Sequence, residues 1–584
     1  MKISFLKIVI INLIILLTSC AGSPGKSTET VWIRFNHAGY TPERAKIAVV
    51  LSDADIKGSK WRLIKNENIV LAGTLSEGDK GDDHFSAQAF NYTIDFSEIR
   101  ETGAYTLELD NALSVNIIIN DDPYSLFATQ ALMHLRAMRS GGETINRKPS
   151  HLGDSQAIVF NISGDWENGL WRQAVPRRTV DMLGGHYDAG DFIKFTLCES
   201  SLAWHLLTAY EMNPSLFVKV HSTSNLPDIL DEAKYSIDYL LKTFPDENTF
   251  IIQVGDSNDH NQGWRSPEND TLNGKRPALS ALSRAHMGGV AAALALGAHI
   301  FKNIDAQSAA IYENKAIAIY NRARKSDTQS SAFLRDSTND FYYDRTDDDN
   351  MALAAAELYR LTRNRSYLDD AKTFAPPAVT AVSWTEWNAL ANFRLAEQGD
   401  TEARSRFIQQ TERYAQDNIW NLPGDQYYWG ILPVWIGMAN MHLLSRRMER
   451  KQELSPPFLG VLDYTFGRNN WGLAMLASHD LPNSIRNIYS FVHHVQRRMP
   501  VGALSEGPGD KKTHDSMSQY FNGSPSNALK RFNTSSAVFY DNAHDFMIQE
   551  STIWGQGNII LMLALASANN LSPDANPGTL ERRK

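Results

Sequence analysis

The sequence predicts a multidomain β + α chain: an N-terminal immunoglobulin-like β-sandwich followed by a large, mostly helical domain. Three observations predict it. The 584 residues are too many for one ordinary core. From Val31 to about Asn120 apolar residues recur with period two, broken often by turn signals. After "DDPY" (Asp121–Tyr124) the spacing changes to three and four and stays so almost to the end.

Each segment has its own reason. Lys2 and Lys7 flank the start of the apolar run "IVIINLIILL", and "LTSC" closes it at Cys20. A charged start, a short apolar core and small residues before a cleavage point make a secretion signal. The run is too short and wrongly flanked for a spanning helix. Its Leu-Thr-Ser-Cys ending resembles a bacterial lipoprotein signal. That implies removal of residues 1–20 and lipidation of Cys20. It also implies export across the inner membrane and a lipid anchor in the outer membrane or at the cell surface. Plain secretion is the alternative. Residues 21–30, "AGSPGKSTET", are small and polar and read as a flexible linker.

Residues 31–121 are assigned to the sandwich. "YTLEL" places Tyr105, Leu107 and Leu109 on one face, and "VNIIIN" does the same with Val115, Ile117 and Ile119. "SEGDKGDD" and "RETGAY" supply turns. Residues 122–575 are assigned to the helical domain. Helical spacing recurs in "LPDILDEAKYSIDYLLKTF", "GGVAAALALGAHIF", "MALAAAELYRLTR" and "ILPVWIGMANMHLLSR". Several of these runs are rich in Ala and Gly, which lets helices approach closely. Strand-like runs are nearly absent there. Long connections in a compact helical domain point to function.

Composition narrows the partner. Apolar residues at 43% and charged residues at 21% fit a soluble globular protein. A net charge of -9 argues against nucleic acid. Thirteen Trp supply flat apolar faces of the kind that stack on sugar rings. The only cysteines are Cys20 and Cys198, so no internal disulfide framework is expected. Cys198 reads as a small buried apolar residue. Nothing near it would depress its pKa for a nucleophilic role.

The densest chemistry lies in "GGHYDAGDFIKF" (Gly184–Phe195), where Asp188 and Asp191 are separated only by Ala189 and Gly190. Asp-Ala-Gly-Asp alone reads as a turn or a helix cap. The whole motif fits a second reading: two carboxylates on one water, one orienting it and the other taking its proton. Such a base needs a distant acid. "DNAHDFMIQESTIWGQGN" offers Asp541, Asp545 and Glu550 ahead of a strongly apolar helical run. Trp554 and partial burial would raise the carboxyl pKa of Glu550, as a general acid requires. Alternatively Glu550 is a first-turn glutamate favoured by the helix dipole.

These blocks, with "IRFNHAGYTPERAKIAVV", "QVGDSNDHNQGW" and "DDDNMALAAAELYRLT", resemble glycoside hydrolase family 9, in the subgroup with an N-terminal immunoglobulin-like domain. The resemblance covers residues 31 to 570. It implies an (α/α)6 barrel that cleaves β-1,4-glucosidic linkages of a β-glucan polysaccharide or oligosaccharide with inversion. Asp191 would be the base, Asp188 would help hold the water, and Glu550 would be the acid. An inverting pair stands roughly 6.5–9.5 Å apart. His186, Tyr187 and Trp554 are candidate substrate-binding residues by the same resemblance. No cofactor is required. A structural calcium ion is allowed, since family members often bind one. A monomer is expected.

Three departures fall in substrate-contacting regions. His493 and His494 in "HHVQRR" are followed by Val495, with arginine displaced to Arg497 or Arg498. "SEGPGD" carries Glu506 where the family reads Gly-Gly-Pro. Gln549 precedes the acid where the family has Asn. His493, His494, Arg497 and Glu506 are therefore candidate substrate contacts, and the glycan is expected to differ from plain cellulose. The His pair as a metal site lacks a third ligand at useful spacing. Trp171, Trp264, Trp384, Trp387, Trp429 and Trp554 are candidate stacking residues. Two alternatives to a cellulase-like endoglucanase stay open. One is an exo-acting β-glycosidase or a hydrolase of a decorated or mixed-linkage glucan. The other is a non-catalytic surface glycan-binding lipoprotein.

Overall fold

A computed structural model describes residues 30–568, apart from 111–113, 143–147, 164–169, 271–275, 327–341, 343, 345, 378–381, 452 and 522–526. The leader expected to be a signal peptide, the lipidation candidate Cys20 and most of the expected linker lie outside the described residues.

Among the described residues, eight strands form a sandwich of two four-stranded sheets. One has the order β1 (Val31–Arg34), β2 (Ile47–Ser52), β6 (Phe90–Asp95), β5 (Asp79–Lys80). The other runs β4 (Asn68–Thr74), β3 (Lys60–Lys65), β7 (Gly103–Leu109), β8 (Val115–Ile119). Tyr105, Leu107, Leu109, Ile117 and Ile119 point into one core, as period two requires. β2 is apolar on both faces for a physical reason. Ala48 and Val50 enter the sandwich core, while Val49 and Leu51 enter the core of the helical domain.

Among the described residues, twelve longer helices make the second domain. Six of them close a ring: α2 (Thr196–Met212), α4 (Arg284–Phe301), α6 (Asp348–Thr362), α8 (Asn388–Glu397), α10 (Ile431–Met448) and α12 (Ile553–Ala568). Each packs on its two neighbours, and α12 closes back on α2. Six more lie outside: α1 (Ser125–Met138), α3 (Asp228–Leu240), α5 (Ala306–Ala323), α7 (Arg365–Phe374), α9 (Thr401–Glu412) and α11 (Pro456–Thr465). This is an (α/α)6 barrel. The small residues of α4 serve the ring. A Cβ on Gly289 would stand 2.9 Å from Ser200 Oγ and 3.0 Å from Trp387. None of the described helices is long and apolar enough to cross a membrane.

The helical domain holds more strand than its sequence suggests. Short strands at Ala157–Ser163, Leu170–Gln173, Thr179–Val180, Lys194–Phe195, Ile251–Val254 and Pro277–Ser280 form one sheet beside the ring. Most are two to four residues long, too short for a period to register.

The domains are joined by buried polar contacts. Arg44 Nη2 meets Asp463 Oδ1 at 2.5 Å, and Arg44 Nη1 donates to the Tyr124 hydroxyl at 2.6 Å. Asn36 Nδ2 donates to the same Asp463 oxygen at 2.7 Å. Arg44→Ala would leave that carboxylate buried with only the longer contact to Arg468 Nε (3.5 Å) as its cationic partner. It is expected to cost about 3–5 kcal/mol, seen as a lower urea midpoint. A loss below about 1 kcal/mol would mean the pair behaves like a surface ion pair.

Candidate active site

A cleft of about 630 Å³ opens where the inner helices begin. Its lining comes from segments leading into helix N-termini: Asp188 to Phe195 before α2, Tyr342 before α6, Trp384 before α8, Trp429 before α10, and Glu550 to Trp554 at α12. Four carboxyl groups line it, from Asp188, Asp191, Glu506 and Glu550, and no Lys or Arg is among the lining residues.

The two distant segments are stitched together. Gly190 N donates to Glu550 Oε1 at 2.9 Å, and Ile553 N donates to the Asp188 carbonyl at 2.9 Å. A Cβ at position 190 would lie 2.4 Å from the Tyr489 ring and 2.7 Å from Glu550 Oε1, so only glycine fits. Glu550 itself has extended backbone (φ -69°, ψ 150°) between the short helix Phe546–Gln549 and α12. The reading of Glu550 as a first-turn residue of the apolar helix is thereby corrected. Burial pushes its carboxyl well above the usual range, and Asp191 and Glu506 add to the push.

Asp188 is 1% exposed, and its Oδ1 accepts no hydrogen bond among the described residues. Burial raises its pKa to about 7; the Tyr342 hydroxyl pulls it back and Asp191 pushes it up. Asp191 Oδ1 accepts from Ile193 N at 2.9 Å, and Oδ2 lies 2.6 Å from His260 Nδ1. The small sheet explains that contact. Lys194 pairs with Val254 in antiparallel register, so Asp191, just before one strand, and His260, just beyond the other, emerge at the same end. Asp256 caps the short helix that carries His260. The bond to Asp191 raises the His260 pKa.

Glu506 is not a solvated loop residue. It is 4% exposed, and its Oε1 accepts from Thr552 Oγ1 at 3.0 Å. Its backbone N donates to the Glu550 carbonyl at 3.1 Å. Burial raises its pKa to about 8. Trp384, Trp429 and Trp554 line the cleft beside it, with Trp384 and Trp554 edge to face at 5.4 Å.

Other candidates stand elsewhere. His186 is fully buried, not in the cleft: its ring sits between Glu199 (2.8 Å) and Glu232 (2.7 Å). Burial alone would lower its pKa, but the two glutamates outweigh it and raise it to about 9. Tyr187 is also enclosed, its hydroxyl bonded to Ser150 Oγ (2.7 Å) and His151 Nδ1 (2.5 Å). Both anchor the motif from beneath. Trp387 is a core residue, and Trp171 lies on the strand Leu170–Gln173. His493, His494 and Arg497 are not among the lining residues. His494 stacks on Trp264 (4.2 Å, 15°), and Trp264 in turn abuts Tyr489, which does line the cleft. Arg497 is exposed, at φ 54°.

Sequence reasoning missed His260, Tyr342 and Tyr489. His260 lies inside a block already noted, "QVGDSNDHNQGW", whereas the two tyrosines carry no local signal. Cys198 is buried near Asp188, and burial pushes its thiol up, away from a nucleophile's range. Among the described residues no group of three or more His, Cys, Asp or Glu is arranged to hold a metal ion. Asp344 and Asp349 stand together, the Asn350 amide nitrogen donating to one oxygen of each at 3.1 Å. That set alone falls short of the about six to eight oxygens a calcium ion takes.

Comparison with known proteins accords with this geometry. Residues 124–563 match the glycosyl hydrolase family 9 profile, and residues 28–114 match the cellulase N-terminal ig-like domain. Endoglucanase C of Cellulomonas fimi is 26% identical over 86% of this chain. The chain spans about half of that relative's length (49%). A cellodextrinase of Butyrivibrio fibrisolvens is 23% identical, over 85% of this chain and 95% of its own. The crystal structure of a metagenome-derived family 9 endoglucanase superposes with a TM-score of 0.75 at 21% identity, over 92% of this chain and 99% of that one. This likeness carries the fold. The match across three quarters of the sequence carries the rest: the chain is a glycoside hydrolase and belongs to glycosyl hydrolase family 9, in the branch with an N-terminal immunoglobulin-like domain.

Proposed function

We propose that the enzyme hydrolyses β-1,4 linkages of a β-glucan with inversion, using Asp191 as base, Asp188 as the second holder of the water and Glu550 as acid. The observation that carries this reading is the amide of Gly190 on Glu550 Oε1, within a cleft that also holds both aspartates. An N–H on Oε1 leaves Oε2 as the oxygen that carries the proton. Burial and neighbouring carboxylates favour that protonated form. Asp191 is bonded as an acceptor on both oxygens.

The steps balance simply. A water held by Asp188 and Asp191 attacks the anomeric carbon and passes its proton to Asp191. The glycosidic C–O bond breaks, and its oxygen takes the Glu550 proton. Solvent then returns both carboxyls to their starting states. Trp384, Trp429 and Trp554 offer the apolar faces on which sugar rings stack. The names of the relatives, endoglucanase and cellodextrinase, agree with a glucan substrate.

One observation favours a second reading, exo action or a decorated glucan. Met517 and Tyr520, from a segment running alongside the cleft, also line it, and Tyr520 is 62% exposed. Product lengths from a linear and a branched glucan separate the two. On the leader alone we place the enzyme on a lipid anchor at Cys20, outside the inner membrane. Cys20→Ala is expected to move it from the membrane to the soluble fraction, and unchanged fractionation would remove the anchor.

Glu550→Gln is expected to lower kcat on unactivated cello-oligosaccharides by about 10³-fold or more, and on an activated aryl glycoside far less. Equal losses on both would remove the acid assignment, and a product of retained anomeric configuration by NMR would remove inversion. The pH profile adds a signed test. Above about pH 8 Glu506 ionises and adds a negative neighbour that holds the Glu550 proton. Glu506→Gln deletes that neighbour, so the alkaline limb of kcat moves to lower pH, by about half a unit to one unit. A stationary limb would show that the two carboxyls do not couple.

A further inference from the structure

The residues lining the cleft all belong to the helical domain, but two of the segments that carry them are bonded to a loop of the sandwich. We propose that the N-terminal sandwich is a working part of the cleft, with His84 as the positioning residue that locks two wall segments together. The role depends on the cleft being the glycan site proposed above.

The loop between β5 and β6 leaves the sandwich and enters the space between these segments. Asp82 Oδ1 folds it, accepting from His84 N (2.9 Å) and Phe85 N (2.8 Å). His84 Nε2 lies 2.6 Å from the Asp425 carbonyl, and Nδ1 lies 2.7 Å from Ser536 Oγ. A carbonyl only accepts, so Nε2 donates to Asp425, while Nδ1 pairs with the serine hydroxyl. One imidazole thus joins two stretches of the helical domain more than a hundred residues apart in sequence.

Both stretches lead to the cleft. The first, Asn421–Gly430, has neither helix nor strand and ends at Trp429, a lining residue that is 39% exposed. The sandwich loop holds it at two points, where Asp425 receives His84 and the Tyr427 ring packs on His84 (5.5 Å), and holds the residue just before it, since Trp420 Nε1 donates to the Phe85 carbonyl (2.8 Å). In the second, Ser536 adjoins Ala537, which pairs with Asp510. Asp510 caps the helix Lys511–Met517, whose far end brings Met517 and then Tyr520 to the lining. Ser535 N also donates to the Asp83 carbonyl (3.0 Å), and Gln88 Nε2 donates to the Arg531 carbonyl (3.1 Å).

The position of these contacts argues for a role in binding. The domains are held together elsewhere, by Arg44 with Asp463 and by the second face of β2. Two part-exposed hydrogen bonds at His84 add little to that union. They do set where Trp429 and Tyr520 stand, and displacing stacking groups by about 1 Å is felt in binding. Neither residue carries a carboxyl group, so their displacement is read first in substrate binding.

The test uses the full chain with His84→Ala and His84→Gln, the latter keeping an amide donor toward Asp425. Hydrogen exchange by mass spectrometry reads the walls directly, and KM and kcat are measured on a soluble β-glucan and on an aryl cellobioside. His84→Ala is expected to speed exchange in both Asn421–Gly430 and Lys511–Met517, and to raise KM on the polymer about fivefold with kcat within about twofold. His84→Gln should recover most of the KM. Unchanged exchange in either wall overturns the positioning role, as does a fall in kcat and Tm with KM unmoved. A wild type that cleaves no β-glucan would sink the glucanase reading instead, and the exchange result would still decide whether His84 locks the walls.

Discussion

One hydrogen bond governs the geometry of the cleft, from the Gly190 amide to Glu550 Oε1. It joins residues 360 positions apart, and it exists only because position 190 has no side chain. A second stitch, Ile553 N to the Asp188 carbonyl, fixes the start of α12 against the same loop. Glu550 is therefore placed by the aspartate motif itself. It cannot drift relative to Asp188 and Asp191 without breaking one of these bonds. The glycine between the aspartates is as much a part of the site as the carboxyls.

Putting four carboxyl groups into one cleft raises an electrostatic problem, because they cannot all ionise together. Two features answer it. The lining segments run into the N-termini of inner helices, whose partial positive charge favours acidic groups nearby. And the carboxyls differ in burial and partners: Glu550 and Glu506 are pushed up, while Asp191 takes donors on both oxygens. Beneath the motif a separate buried network holds the loop rigid. His186 bridges Glu199 and Glu232, Arg139 pairs with Glu232 at 2.8 Å, and Lys194 pairs with Asp154 at 2.7 Å. The charged residues around the motif thus divide into those facing the cleft and those bracing it from behind.

That division explains what was legible in the sequence. Two periods and the change between them revealed the two domains, since each period reports one kind of buried face. The carboxylate motif was visible as dense local chemistry, whereas the distant glutamate was singled out from its neighbours only by the family resemblance. The identities of His186 and Tyr187 were visible too, but not their direction: nothing local says whether a side chain beside an active-site loop faces ligand or core. Trp387 failed for the same reason, being three residues from Trp384, which does line the cleft. His260 meets Asp191 only through the register of two short strands, Lys194–Phe195 and Ile251–Val254. Tyr342 and Tyr489 reach the cleft from segments with no motif at all.

The sandwich belongs in the same physical account. β2 reads as a continuous apolar run because it has no free face: one side completes its own domain and the other completes the core of the barrel. A strand committed on both sides cannot be exposed by moving the domains apart without baring Val49 and Leu51 to water. Arg44, buried against Asp463, makes the same demand in charge. Such an interface resembles a cut through one core more than a hinge between modules. A loop projecting from so fixed a body can act as a rigid strut. For that reason the β5–β6 loop is able to brace the segments that carry Trp429 and Met517 to the cleft, where a loop on a freely moving domain could not.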